Sequence, residues 1–296
     1  MKAIFHQNSQ IQIRVNSMQL SYVFEKAGIY VLRHKNLYMV MDCGRNGLND
    51  WGGHAHNDTL SFELCVGHTT FIADPGTFAY TGSGEWHTTF RSTHLHNTVM
   101  VDGEELNRFK PHDFWGLCYD AIPKINHWQS GQEFDLLDAE HRGYLRLADP
   151  VMHRRQVLFQ KTPPAFWIVR DILSGQGRHT FELSFHIGDA TPQLLSPSIV
   201  GLQSKVALNE RLVIVPLEEA GALSIRDSWR ALGYGTKIPS EIVCYTRTNS
   251  IPTEFITVLY PVPVGESFVQ ATEKARATAL TAWEESARLF PEKSEK

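Results

Sequence analysis

Short runs of β-forming residues, each ended by turn residues, recur along most of this chain and limit what it can fold into. About ten such runs carry apolar side chains in alternation or in a continuous block. They cover residues 29–32, 37–41, 60–64, 70–73, 97–101, 155–159, 166–170, 180–185, 211–215 and 255–259. Many short strands at this spacing, with no helix-period segment among them, predict an all-β fold. The expected architecture is a large two-sheet antiparallel β-sandwich of the supersandwich type.

The last part of the chain departs from the strand pattern. After Pro261 and Pro263, five side chains follow one another at intervals of three and four residues. These are Arg276, Leu280, Trp283, Ala287 and Phe290. The spacing predicts a short amphipathic helix over residues 271–290, docked on the sandwich or on a partner outside this chain. We therefore expect a β-sandwich domain over residues 1–265 and a C-terminal helical tail over residues 266–296.

Composition and charge exclude several classes of protein. With 42% hydrophobic residues in a chain of 296, a large core can form, and a disordered or collagen-like protein is excluded. The 28 Lys and Arg against 32 Asp and Glu give a net charge of −4, so we expect no nucleic-acid partner. No apolar run approaches the roughly 18 residues of a membrane helix. The start of the chain also lacks the apolar stretch of an export signal, and the sequence leaves the localisation open.

The histidines are clustered, and this is the first indication of function. Two His-x-His pairs, His54 with His56 and His94 with His96, each precede a predicted strand. In extended backbone, residues two apart point to the same side, so each pair can address one point. Asp74 ends the strand that lies between them and precedes a Pro-Gly turn. Imidazoles and one carboxylate gathered at one sheet edge are a zinc-type ligand set.

Two other interpretations of the histidines were weighed. A single His-x-His pair most often binds nothing, but two pairs flanking an Asp-Pro-Gly turn make chance less probable. A cupin also combines a β-barrel with a His-x-His metal site. Its glutamate is expected four or five residues after the second histidine, whereas here Glu63 comes seven residues after His56 and on the opposite strand face. The sequence therefore disfavours a cupin.

Three segments carry a more specific resemblance. Residues 53–64 read Gly-His-Ala-His-Asn-Asp-Thr-Leu-Ser-Phe-Glu-Leu, and residues 73–77 read Ala-Asp-Pro-Gly-Thr. Residues 90–103 contain Phe-Arg-Ser-Thr, then His-Asn-Thr-Val and Val-Asp-Gly. Together these segments resemble the C-terminal β-sandwich of the heparinase II/III-like polysaccharide lyases. The resemblance extends over about residues 20–260.

The resemblance implies a role for several of these residues. By position in the motifs, His56, Asp74 and His96 correspond to residues that hold a structural zinc ion. His54 corresponds to a histidine that faces the substrate cleft. Arg91 corresponds to an arginine of the same strand-end cluster, and its guanidinium is expected to pair with a uronate carboxylate.

Three further residues are expected near the cleft. His94 is either an additional cleft residue or exposed to solvent, and Tyr80 is expected at the rim of the same site. Trp86 follows a Gly-Ser-Gly loop, where an aromatic side chain can stack on a sugar ring. We expect His54, Arg91, His94 and Tyr80 to be catalytic, and Arg91 and Trp86 to contact substrate.

The implied reaction is β-elimination on an acidic, uronic-acid-containing polysaccharide. A base removes the proton next to the uronate carboxylate, the carboxylate charge is neutralised, and an acid protonates the leaving oxygen. In full-length members of the family an α/α-toroid precedes the sandwich and supplies further catalytic residues. This sequence shows no helical domain, so we expect weak turnover, or none, unless a toroid acts with it in cis or in trans.

Two other functions remain open from the sequence. A non-catalytic, zinc-stabilised glycan-binding or assembly module would retain His56, Asp74 and His96 but would not need His54 or Arg91. A metal hydrolase would use an open position on the zinc and give no unsaturated product. The sequence does not indicate which acidic glycan is recognised.

Overall fold

Two large antiparallel β-sheets account for most of the computed structural model, which describes residues 21–47 and 50–287. Their inner faces share one buried apolar core, to which Leu64 and Phe185 contribute from one sheet and Val157 and Trp167 from the other. The predicted all-β sandwich is therefore confirmed. In the described part of the chain, no helix is both long and apolar enough to cross a membrane.

The first sheet contains the strands that surround the histidine motifs. In spatial order they are β1 (Tyr22–Phe24), β2 (Ile29–His34), β3 (Leu37–Asp42), β4 (Phe62–Val66), β5 (Thr69–Ile72), β11 (Arg178–Ile187), β16 (Thr236–Ser250) and β15 (Ala222–Gly233), and β6 (Val99–Val101) pairs with β11. Because the sheet is antiparallel, the end of β3, the start of β4 and the end of β5 lie at one edge. The loops at this edge contain His54, His56 and Asp74.

The second sheet is buried on both faces. In spatial order its strands are β12 (Ala190–Ser196), β13 (Ile199–Ser204), β14 (Arg211–Pro216), β17 (Thr253–Pro261), β10 (Phe166–Gly175), β9 (Val151–Gln160), β8 (Phe134–His141) and β7 (Pro123–Ser130). Along β10, Trp167 enters the core between the sheets, whereas Ile168 enters a second apolar cluster on the outer face. Continuous apolar runs in this sheet follow from its two buried faces.

The C-terminal helix α2 (Phe268–Ala287) covers the outer face of the second sheet. The prediction of a docked helix is confirmed, but the predicted face is only partly correct: Trp283 packs against the apolar cluster on this face, whereas Arg276 is exposed. Ala271, Ala275 and Ala279 are buried against the sheet, while Leu280 is 54% exposed. Small side chains let the helix approach the sheet closely, and this selects the alanine stripe over the larger residues. The predicted end at Phe290 lies outside the described residues.

Several elements were not predicted, most of them because polar or exposed residues interrupt the apolar pattern, although β13 and β16 contain buried apolar runs. The strands missed were β1, β7, β8, β12, β13, β15 and β16. In β8, carboxylates occupy buried positions, and each is neutralised by a neighbouring cation, as in the 2.6 Å ion pair between Lys161 Nζ and Asp135. The short helix α1 (Gly84–Arg91) was read as a loop. The Ser83 side chain caps it by accepting a hydrogen bond from the Trp86 backbone N–H.

A buried polar relay crosses the core between the sheets. The His141 Nε2–H donates to His153 Nδ1 at 3.0 Å, and His153 Nε2–H donates to Asp171 Oδ1 at 2.7 Å. Arg155 completes the relay, because its Nε and Nη2 donate to the two oxygens of Asp171 at 2.6 and 3.0 Å. The backbone N–H of Gly143 donates to His141 Nδ1, so both histidines are hydrogen-bonded in their neutral forms.

Arg155 and Asn97 connect this relay to the edge of the first sheet. Arg155 Nη1 donates to the carbonyl oxygens of Leu60 and Asn97 at 2.7 and 2.6 Å. The Asn97 amide donates to the carbonyls of Phe62 and Ala73, and its oxygen accepts from the His186 N–H at 2.6 Å. Asn97 therefore joins β4, β5 and β11 at the point where the histidine loops begin.

The buried histidines predict a loss of stability in mild acid. Burial lowers the pKa of both His141 and His153. Stability is therefore fully present above the ordinary histidine pKa of about 6.5 and declines as pH falls below it, because the unfolded chain then binds protons that the folded chain excludes. Between pH 7 and pH 5, linkage limits the loss from each such site to roughly 2 kcal/mol, which is reached only when the folded chain excludes the proton completely.

Urea unfolding at pH 7 and pH 5 tests this expectation. Replacing His141 with glutamine removes one of the titrating groups, so the difference in unfolding free energy between the two pH values should become smaller than in the wild type. His68→Gln, at an exposed histidine in the β4–β5 turn, is the control and should retain the wild-type difference. An equal pH dependence in the wild type and in His141→Gln would contradict the assignment.

Candidate functional site

An open cleft of about 670 Å³ lies at the sheet edge where the histidine loops meet. Its walls come from the loop after β3 (residues 44–47), the segment before β4 (residues 51–59) and the loop after β5 (residues 74–77). His54, His56 and Asp74 all line it. The geometry of the antiparallel strands therefore places the two motifs in one site.

His56, Asp74 and His96, predicted as metal ligands, lie together at the floor of this cleft. The rings of His56 and His96 are 5.3 Å apart, and His96 Nδ1–H donates to Asp74 Oδ2 at 2.7 Å. The Thr77 hydroxyl lies 3.2 Å from His56 Nε2. Asp74 Oδ1 accepts from the Gly76 N–H at 2.8 Å, which shows how the Pro-Gly turn holds this carboxylate in place.

Asp58 is a fourth member of this group that sequence reasoning missed. One possible ligand atom from each of His56, Asp58 and His96 lies within 4.8 Å of the others. The signal was present, since Asp58 follows His56 by two residues in the same motif. We call His56, Asp58, Asp74 and His96 the histidine–carboxylate cluster. His96 Nε2 is buried and has no hydrogen-bond partner among the described residues, so the donor set fits a metal ion.

The ionisation of His56 and Asp74 agrees with this fit. Burial, together with the neighbouring His96, lowers the pKa of His56 to about 3, so its imidazole is neutral and able to bind a metal. Burial alone would raise the pKa of Asp74, but His96 outweighs it and lowers the value to about 2. Burial would likewise lower the pKa of His96, yet Asp74 raises it. Burial raises the pKa of Asp58, so Asp74 is the more readily ionised carboxylate.

His54 and His56 differ in their surroundings although both line the cleft. His56 is buried in the cluster, whereas His54 is exposed. The His54 ring lies 5.2 Å from that of Tyr80 and 5.8 Å from that of Trp115. Tyr80 therefore lies at the cleft rim beside His54, where the sequence placed it, and Trp115 is an additional aromatic neighbour.

Arg91 is buried, and it ends helix α1 instead of lying at a strand end as expected. Its Nε donates to the carbonyl of Ala55 at 2.8 Å, and its Nη2 donates to the carbonyls of Gly52 and Trp115 at 2.6 and 2.8 Å. The guanidinium thus holds the backbone of the His54 loop from behind. Its Nη1 is buried without a partner among the described residues. The predicted contact with a uronate stays a prediction.

His94 and Trp86 lie away from the cleft lining. The backbone at Thr93–Leu95 is a 3-10 helix, so His94 and His96 do not share a side as two residues of a strand would. His94 Nδ1 lies 2.8 Å from the Ser92 hydroxyl. Trp86 belongs to helix α1, not to a loop, and the ammonium of Lys237 lies 2.9 Å above its ring. The catalytic and sugar-binding roles predicted for these two residues remain untested.

Arg45 is the cleft residue that the sequence motifs did not indicate. Among the described lining residues it is the one arginine or lysine, and its side chain is 71% exposed. It forms an ion pair with Asp50 and lies 5.6 Å from the ring of Tyr119. Only its position in the glycine-rich loop after β3 hinted at a role. Arg45 therefore carries the exposed positive charge in this wall of the cleft, paired with Asp50, whereas Arg91 is enclosed by backbone carbonyls.

The contacts of Arg91 predict a structural role that Arg45 lacks. Arg91→Ala would remove the guanidinium hydrogen bonds to three backbone carbonyls, and we expect a loss of roughly 2 kcal/mol in the free energy of unfolding. Arg91→Lys retains the charge but not the forked geometry, so it should restore only part of this stability. Arg45→Ala serves as the control and should leave the urea midpoint unchanged. Equal midpoints for Arg91→Ala and the wild type would refute the role.

Comparisons with known proteins identify several relatives of this chain. A heparin-sulfate lyase of Bacteroides stercoris is 26% identical over 178 residues, which is 57% of this chain and 23% of that protein. The crystal structure of the heparan sulfate lyase HepC from Pedobacter heparinus superposes with a TM-score of 0.69 at 20% identity, covering 84% of this chain and 37% of that one. A heparinase III gene product gives a TM-score of 0.68 at 21% identity, covering 82% and 36%.

These similarities have a defined extent. The chain spans less than two fifths of the length of each of these relatives. At these identities the structural matches show a shared fold. The family description "Heparinase II/III-like, C-terminal" matches residues 19–276, which is most of the sequence and includes every motif residue described above. The chain belongs to the heparinase II/III-like family, of which it forms the C-terminal β-sandwich domain.

Proposed function

We propose that this chain is the β-sandwich part of a polysaccharide lyase that cleaves uronic-acid-containing glycans by β-elimination. The observation that carries the proposal is the exposed His54, held at the cleft above the buried histidine–carboxylate cluster in a member of this family. Relatives named as heparin and heparan sulfate lyases support an acidic polysaccharide as the substrate class.

The reaction needs a positive or hydrogen-bonding group at the uronate carboxylate. Removing the proton next to an ionised carboxylate places two negative charges close together, so this carboxylate must be neutralised in the transition state. His54 is exposed to the cleft, and Arg45 is the exposed cation in its wall. In this proposal His54 and Arg45 meet the uronate, and Arg91 positions the loop that carries His54.

We also propose that His56, Asp74 and His96 hold a zinc ion. The orphaned His96 Nε2, the neutral His56 and the ionised Asp74 are suitable donors. When bound, zinc would supply a fixed positive centre that holds the loops before β4 and after β5 together. The chain's own residues would still carry out the steps at the sugar, with His54 facing the substrate.

In this proposal an α/α-toroid supplies the opposite wall of the cleft. The cleft found here is open on one side, with His54 and Arg45 on its wall. The base that takes the sugar proton and the acid that protonates the leaving oxygen are assigned to the toroid side, in cis or in trans. Turnover by the sandwich alone is expected to be weak or absent.

Product formation tests the lyase proposal. The chain is fused to, or mixed with, an α/α-toroid from a related lyase and incubated with heparan sulfate, heparin or alginate. We expect the ultraviolet absorbance of an unsaturated uronate to increase with at least one of these glycans. His54→Ala should lower kcat/KM by at least about a hundredfold, and Arg45→Ala by about tenfold. His68→Ala is the control and should retain wild-type turnover; absence of unsaturated product with every acidic glycan refutes the proposal.

Elemental analysis tests the metal proposal. The purified chain should contain about one zinc per molecule. His56→Ala and Asp74→Asn should lose the metal and lower the melting temperature. Asp58→Asn should retain the metal with affinity weakened by about ten- to a hundredfold, as expected for a residue that supports the ligands. A metal-free wild type, as stable as after chelation, would contradict the site. If Asp58→Asn loses the zinc and Asp74→Asn retains it, Asp58 is the metal ligand and Asp74 is the residue that supports the ligands.

One observation favours a second function, a non-catalytic glycan-binding module. Arg91 donates to three backbone carbonyls and is buried, so a module without catalysis would need it for stability as much as an enzyme would. Such a module would bind acidic glycans and give no unsaturated product with any toroid. The product assay therefore separates the two functions.

A further inference from the structure

The hairpin formed by β15 and β16 lies at one side of the first sheet, and its tip rests against the loop that follows β5. Its tip is bonded to the loop that follows β5, since the Ala231 N–H donates to the Pro75 carbonyl at 2.8 Å and the Gly235 N–H donates to the Phe78 carbonyl at 2.7 Å. Pro75 directly follows Asp74 of the histidine–carboxylate cluster. The hairpin tip is therefore anchored to the loop that forms one wall of the cleft.

A group of aromatic side chains around Lys237 fixes the base of this tip. The Lys237 ammonium lies 2.9 Å from the centre of the Trp86 ring, 3.9 Å from that of Trp229 and 5.2 Å from that of Phe78. Trp86 comes from helix α1, Trp229 from β15 and Phe78 from the loop after β5. Cation–π contacts to three elements hold the hairpin, helix and loop in one arrangement.

Tyr234, at the hairpin tip, extends the group of aromatic side chains that surround His54. Its ring is stacked on that of Tyr80, with centroids 6.0 Å apart and planes 21° apart, and its hydroxyl lies 3.2 Å from that of Thr81. Tyr80 in turn lies 5.2 Å from the His54 ring. Tyr234 is nonetheless 62% exposed, and the neighbouring Leu232 is 60% exposed. The Tyr234 ring is thus held in a fixed orientation by Tyr80, which lies between it and His54, and much of the Tyr234 ring remains exposed.

We propose that Tyr234, supported by Tyr80, is a sugar-binding subsite that extends the cleft away from His54. The occupant is a pyranose ring of the glycan chain, whose C–H face packs on the open face of the tyrosine. This occupant is indicated by the continuity of the aromatic rings with the proposed catalytic cleft. The subsite rests on the proposed function and deepens it, because it implies a substrate long enough to reach both His54 and the hairpin tip.

The position of Tyr234 separates it from the groups that meet the reacting uronate. Arg45 and His54 line the cleft, whereas Tyr234 lies beyond Tyr80 on the hairpin. A short oligosaccharide that fills the cleft would not reach it, and a longer one would. The subsite therefore contributes affinity for long chains and leaves recognition of the reacting sugar to the cleft residues.

Direct binding of defined oligosaccharides to this chain, measured by titration calorimetry, tests the subsite. The ligands are a disaccharide and a long oligosaccharide prepared from heparan sulfate, with a neutral oligosaccharide of the same length for comparison. Tyr234→Ala should weaken binding of the long acidic ligand by about five- to tenfold and leave binding of the disaccharide unchanged. Tyr234→Phe keeps the ring and should bind within about twofold of the wild type. Tyr22→Ala, at an equally exposed tyrosine on β1, should have no effect.

The outcomes separate this inference from the proposed function. Equal affinity of the wild type and Tyr234→Ala for the long ligand overturns the subsite, and so does an equal loss for the long ligand and the disaccharide. A wild type that binds neither acidic nor neutral oligosaccharide also overturns it. If Tyr234-dependent binding is found but no toroid yields unsaturated product, the subsite stands and the lyase proposal fails.

Discussion

The buried ion pair between Arg155 and Asp171 is the interaction on which the site depends. A charge buried between two sheets is stable only when it is paired and its remaining hydrogen-bonding groups are satisfied. Asp171 takes two of the Arg155 donors, and the third nitrogen donates to the carbonyls of Leu60 and Asn97. The Leu60 carbonyl lies just before β4, and the Asn97 carbonyl lies just after His96. Both belong to the side of the first sheet. The second sheet therefore holds the floor of a cleft that is built entirely from loops of the first.

This arrangement divides the candidate site into a rigid base and exposed groups above it. His96 donates to Asp74, which also accepts from the Gly76 N–H of the Pro-Gly turn, and the His56 ring lies beside that of His96. Asn97, which directly follows His96, donates to the carbonyl of Phe62. Above them, His54 and Arg45 are exposed to the cleft. A fixed base of this kind would hold the groups proposed to act on the sugar within the small tolerance that acid–base chemistry requires. The geometry thus divides the site into a buried cluster and exposed side chains.

The sequence predicted the strands in which apolar side chains alternate, and it failed where polar groups are buried inside a strand. Strands with apolar alternation, such as β3 and β10, were predicted, whereas β8 was missed because buried carboxylates interrupt its pattern and only partners from other strands neutralise them. The edge strand β15 was missed because an exposed strand needs no apolar pattern. Its neighbour β16 was missed although residues 242–245 form a buried, largely apolar run. In the site, the motif residues His56, Asp74 and His96 do meet. Asp58 was overlooked although it stands in the same motif as His56. Arg45 and Tyr234 were not indicated, because their significance comes from neighbours distant in sequence.

The sequence by itself determined the fold class, the family and three residues of the cluster, His56, Asp74 and His96. Apolar alternation and motif spacing can be read from the sequence without knowledge of long-range contacts. Only the tertiary structure decided how each of these residues can act. Arg91 and His54 look equally available in the sequence, yet one is enclosed by backbone carbonyls and the other is open to the cleft. Burial and hydrogen-bond partners are set by residues brought together from different strands, and these decide which charges are free to meet a substrate.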